Sequence, residues 1–70
     1  SEKELKLIKE LLRYRGLVFN RAYRAYEGDI RVVGTDKQGN EYRFSVVVTW
    51  HKQLSNGMLF EDIDLKEIHQ

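Results

Sequence analysis

The chain has 70 residues, a formal net charge of +1, 41% hydrophobic residues and no cysteine. A domain this short buries only about 60% of the surface its unfolded chain exposes, so a large catalytic cleft is hard to accommodate and a non-enzymatic role is expected. The lack of cysteine excludes disulfides and thiolate metal sites, and the lack of an apolar run of about 18 residues argues against a helix through a membrane. With no targeting signal in the sequence, a cytoplasmic location is the default expectation.

Residues 2–15 carry Leu5, Ile8, Leu11 and Leu12 on one stripe, with Lys3, Glu4, Lys6, Lys9, Glu10 and Arg13 around the rest. That spacing predicts an amphipathic helix. Ser1 is placed to cap its N-terminus, with Glu4 completing a capping box. Gly16 followed by Leu17 matches a left-handed helix stop, in which the residue after glycine folds back onto the last apolar turn.

Residues 17–27 are the ambiguous stretch, with a strand at about 17–26 as one reading, because Phe19, Tyr23 and Ala25 alternate as a strand does, while Phe19, Ala22, Tyr23 and Tyr26 also recur at helical spacing. The aromatic content and the Glu27-Gly28 turn signal favour a strand. Closed by a two-residue loop, it places Tyr23 opposite Val32 and Ala25 opposite Ile30, both facing the core.

Strands are expected at about 29–36 and 40–51. Asp36 suits the first position of a type I turn, and Gly39 suits the left-handed position of the bulge that follows. Pairing Asp36 with Asn40 sets Gly34 opposite Tyr42, Val32 opposite Phe44, Ile30 opposite Val46 and Gly28 opposite Val48. This gives one apolar face, continued by Trp50. The other face carries Asp29, Arg31, Val33, Thr35, Glu41, Arg43, Ser45, Val47, Thr49 and His51, the pattern of an antiparallel sheet with one side in the core. After a Leu-Ser-Asn-Gly loop, residues 58–66 read as a last strand with Ile63 and Leu65 inward and a bulge after Phe60. The expected fold is therefore a single α+β domain, with an N-terminal amphipathic helix packed on one face of a three- to four-stranded antiparallel β-meander.

Charge is unevenly distributed. Arg13 to Tyr26 holds four arginines and no acid, whereas Met58 to Gln70 holds Glu61, Asp62, Asp64 and Glu67 against Lys66 alone. The basic aromatic tract is the sharpest functional feature, since arginines pair with phosphates and exposed tyrosines stack on unpaired bases. The expected register gathers Arg24, Tyr26, Arg31 and Arg43 on the open sheet face, with Arg13 and Arg15 near the helix end. A small non-enzymatic module binding nucleic acid through those residues is the first expectation. A protein-binding or self-associating (homodimeric) regulator using the same surface is the second, because tyrosine and arginine also anchor protein interfaces. A third is an engineered scaffold without a natural ligand, which the clean alternation and the absence of proline fit.

No cofactor or metal is expected. Asp62 and Asp64 alternate away from Glu61, and no glycine-rich ligand loop accompanies them. A triad built on His51 with Ser45 and with Asp29 or Glu41 is not expected either, because Ser45 lies three pairs along the sheet from His51.

Overall fold

The computed structural model describes residues 2–57 and 59–69, apart from the side chains of 51 and 59–61. Helix α1 (Glu2–Tyr14) is followed by strands β1 (Val18–Arg24), β2 (Ile30–Thr35), β3 (Glu41–Gln53) and β4 (Leu59–Ile68). The four strands form one antiparallel sheet in the order β1-β2-β3-β4. The helix lies against one face and touches β1 and β4. Ile8, Leu12, Leu17, Val32, Phe44, Ile63 and Leu65 form the buried cluster, with Leu7, Leu11, Phe19, Tyr42 and Val46 packed around it. The fold is the expected α+β arrangement. Leu5, placed on the helix's apolar stripe, is more exposed than Ile8 and Leu12.

Acidic Glu2 and Glu4 occupy the first turn of α1 and Arg13 the last, as the helix dipole favours. The proposed Ser1 cap lies outside the described residues. At the other end Gly16 has φ 76°. The Leu17 N–H donates to the Leu12 carbonyl at 2.9 Å and the Gly16 N–H to the Arg13 carbonyl at 2.9 Å, which is a Schellman stop. Leu17 is thereby folded back into the core beside Leu12, as its position after the glycine predicts.

The first two hairpins turn in the same way, and the third shares their glycine. The Gly39 N–H donates to Asp36 and the Asp36 N–H to Asn40, both at 3.1 Å, with Gly39 at φ 86°. The Asp36 carboxylate also accepts the backbone N–H groups of Gln38 and Asn40 at 2.9 Å each. The turn from Leu54 to Gly57 has the matching glycine, at φ 84°. The first turn follows suit: the Gly28 N–H donates to Ala25 and the Ala25 N–H to Asp29, both at 2.8 Å.

That first turn corrects the expected β1 register. The loop is Tyr26-Glu27-Gly28, three residues closed by an Ala25–Asp29 pair, not two. Every β1 residue next to the turn moves by one: Arg24 pairs with Ile30, Tyr23 with Arg31 and Ala22 with Val32. Paired residues share a face, so Tyr23 and Ala25 lie on the open face and Arg24 on the helix face. A bulge between Phe19 and Arg21 then returns Phe19 to the helix face, opposite Gly34.

A second bulge corrects the far end of the sheet. It falls in β3, between Val48 and Trp50, and not after Phe60 in β4. Val48 pairs with Ile63 but Trp50 with Asp62. Ile63 faces the core, so Trp50 sits on the open face with Asp62 and does not continue the apolar face. β2 pairs with β3 only as far as Arg31–Ser45. Beyond that point β3 and β4 project as a two-stranded ribbon, and the molecule measures 45 × 26 × 16 Å.

Candidate functional site

The open face is less available than the sequence suggests. Arg31 donates from Nε to Asp29 Oδ2 at 3.3 Å and from Nη2 to Glu27 Oε2 at 3.5 Å. The Ser45 hydroxyl donates to the same Asp29 oxygen at 3.2 Å. Desolvation pushes the Asp29 carboxyl up, but its backbone N–H, the Arg31 guanidinium and the Ser45 hydroxyl outweigh it and hold the group below its ordinary value. Arg31 is raised in turn, chiefly by its bond to Asp29 and helped by Tyr23. Arg21, also on this face, is held by Glu41 at 3.2 Å. Two of the face's guanidiniums are therefore already matched by carboxylates.

The predicted residues are dispersed. Arg24, on the helix face, donates to the Gly28 carbonyl at 2.7 Å and braces its own turn. Tyr26 is at the tip of that turn and fully exposed. Arg31 and Arg43 do share the open face, and Arg43 lines a shallow hollow of about 310 Å³ with Glu41, Glu67 and His69. Arg15 lies on the helix side, its guanidinium 5.1 Å from the Phe44 ring centroid and donating to the Leu65 carbonyl at 3.0 Å. Arg13 is at the opposite end of β1 from Tyr26. No single surface collects all six residues. His51's side chain lies outside the described residues, as does that of Glu61. Among the described residues no group of three metal-ligating side chains converges.

The two edges of the sheet are treated differently. On β4, both backbone polar groups of Leu65 are met by side chains: the carbonyl by Arg15 and the N–H by the Asp64 carboxylate at 2.8 Å. A strand whose edge groups are capped in this way is closed to pairing there. On β1, among the described residues, no side chain is hydrogen-bonded to the backbone of Val18–Arg24. Every other residue of an edge strand points its N–H and C=O away from its neighbour, so β1 presents open donors and acceptors.

Beside that edge runs a groove of about 480 Å³, between α1 and β1. Leu17, Val18 and Phe19 supply its apolar lining, and Lys6, Lys9, Glu10 and Arg13 stand along the helix side. Val18 is 72% exposed. The Lys9 ammonium is 5.6 Å from the Phe19 ring centroid. Among the described residues, Lys6, Lys9 and Arg13 have no carboxylate within ion-pair distance. The sequence reading did not single out Lys6, Lys9 or Phe19 for a site. The signal was present, because positions 6, 9 and 13 fall on one flank of a helix. What the sequence lacked was the knowledge that β1, and not solvent alone, borders that flank.

No family model matches the chain, and no curated protein or solved structure shows significant similarity to it. No helix among the described residues is long and apolar enough to cross a membrane.

Proposed function

We propose that this chain is a small non-enzymatic protein-interaction module that adds an extended segment of a partner protein to its sheet at β1. The observation that carries this is the contrast between the two edges: β4 has its Leu65 groups capped, while β1 is uncapped and borders an apolar groove. Strand addition of this kind draws affinity from main-chain hydrogen bonds and selectivity from pockets for alternate side chains. Leu17, Val18 and Phe19 provide such a pocket.

A second reading rests on the β3–β4 ribbon. Val47, Val48, Trp50 and Leu54 are between 38% and 50% exposed there, which suits self-association through that end. Nucleic acid is the weaker ligand. Arg31 and Arg21 are engaged by carboxylates, and Tyr26 is distant from Arg13, so a phosphate and base pathway across one face is interrupted.

The test is a randomised heptapeptide selection on the intact chain, followed by backbone amide shift mapping of the selected peptides. Perturbations contiguous along Val18–Arg24, abolished by N-methylation of alternate peptide amides, are expected. Perturbations confined to 47–54 would transfer the function to the ribbon. Shifts on Arg31 and Arg43 with a single-stranded oligonucleotide, and none with peptides, would restore the nucleic-acid reading.

A further inference from the structure

We infer that the segment received at β1 is acidic, with an apolar residue flanked by carboxylates two positions to either side. This inference rests on the proposal of strand addition and adds the partner's chemistry. Three cations, Lys6, Lys9 and Arg13, stand along the groove with Glu10 as their only acidic neighbour in its lining. β1 itself has no acid, and its arginines are spoken for, Arg21 by Glu41 and Arg24 by the Gly28 carbonyl, so the cations left for a partner are those of the helix. A row with a net excess of positive charge beside open backbone groups repels basic strands and favours acidic ones.

The spacing sets the pattern. Seven residues of helix at about 1.5 Å each separate Lys6 from Arg13 by roughly 10 Å along the axis. Residues on one face of a strand recur at about 6.8 Å, so carboxylates four positions apart are roughly 13 Å apart and fall within reach of both flexible cations. The residue between them falls beside Phe19, whose ring the Lys9 ammonium overlies. Glutamate is well suited to the outer positions, because its methylenes lie on the apolar lining while its carboxylate reaches the rim.

A second copy of this chain is a poor occupant. Pairing β1 with the β1 of another copy brings the two cationic rows together. Pairing it with β4 requires displacing Arg15 from the Leu65 carbonyl and Asp64 from the Leu65 N–H. The occupant is therefore an acidic, extended segment of a different protein.

The experiment uses the intact chain and three fluorescein-labelled peptides with the core Glu-Thr-Val-Thr-Glu, its Gln-for-Glu counterpart and its Lys-for-Glu counterpart, each flanked by threonines. Anisotropy is measured at low and high salt. The acidic peptide is expected to bind roughly fivefold tighter than the Gln peptide at low salt, as two exposed ion pairs allow. The advantage should largely vanish near 1 M salt, where the screening length falls to about 3 Å. The Lys peptide is expected to bind least. The triple variant Lys6→Gln, Lys9→Gln, Arg13→Gln alters only exposed positions and should abolish the preference while retaining Gln-peptide binding. Equal affinity for acidic and Gln peptides overturns this inference and leaves strand addition standing. Failure of all three peptides to perturb Val18–Arg24 overturns strand addition itself and this inference with it.

Discussion

Gly34 shows how a single missing side chain admits the helix stop to the sheet. A Cβ built at Gly34 meets Leu12 Cδ2 at 3.0 Å and Leu17 Cβ at 3.1 Å. The fold-back of Leu17 places its side chain directly over this strand position, so the space belongs to the core. Gly34→Val is expected to destabilise the protein by about 1–3 kcal/mol, the usual cost of overpacking, as a lowered urea midpoint with an unchanged slope. Val33 is the complementary case. It lies on the open face yet is 0% exposed, flanked in the pairing by Arg21 and Arg43. A valine between two long side chains is covered by their methylene stems, and no alternation rule anticipates that.

Asp36 organises its turn through several hydrogen bonds at once. Its Oδ1 accepts Gln38 and Asn40, and its Oδ2 accepts the Asn40 amide at 3.1 Å and the Tyr42 hydroxyl at 3.0 Å. Desolvation opposes ionisation, but these donors, with Asn40 foremost, hold the Asp36 carboxyl below its ordinary value. Tyr42 is raised for the reciprocal reason, because its O–H donates to the Asp36 carboxylate and would lose that bond and gain a like charge on ionising.

At the scale of the element, the free edge of β4 is capped by neighbouring side chains at Leu65. Arg15, just past the helix end, caps the Leu65 carbonyl and lies over Phe44, tying the helix terminus to the far edge of the sheet. Arg15→Ala removes the cap and a cation–π contact worth about 0.5–1 kcal/mol. The expected outcome is a small loss of stability together with new concentration-dependent association, read by sedimentation from dilute to concentrated samples. Asp64→Ala should act in the same direction. A monomer at every concentration for both variants would show that this capping does not guard the edge. Among the described residues no side chain caps β1 in the same way, which is what the proposed strand addition rests on.

For the whole molecule, pH dependence follows from Asp29 and Asp36. Both folded carboxyls titrate below the ordinary value of 3.8. The unfolded chain therefore binds protons first as pH falls, so the stabilisation present above about pH 4 is lost as pH drops through the folded values. The urea midpoint should fall between about pH 6 and pH 2.5, and Asp36→Asn should narrow that difference because one of the two linked groups is gone. An identical pH dependence in the variant would assign the acid loss to other carboxylates.

The helix stop at Gly16-Leu17 and the 36–40 hairpin were determined by the sequence itself, because each depends on residues within a few positions of one another, and the α+β arrangement followed from the apolar faces of helix and sheet needing each other as partners. A glycine at the required left-handed site, an aspartate that caps its own turn and an apolar stripe at helical period carry their instructions locally. The first turn carries the same signal, with Tyr26-Glu27-Gly28 placing its glycine where Lys37-Gln38-Gly39 does, but the expected two-residue loop ignored it and set β1 one residue out of register. The bulges at Asn20 and Thr49 were not legible. They reverse the faces of Phe19 and Trp50, and a bulge has no obligatory residue at either place. Only the tertiary structure decided them: the bulge at Asn20 turns Phe19 to the helix face, where it packs against the buried cluster, a demand made by the assembled core and not by the strand. The candidate site shares that dependence: its cations belong to α1 and its open backbone to β1, and packing alone made them neighbours.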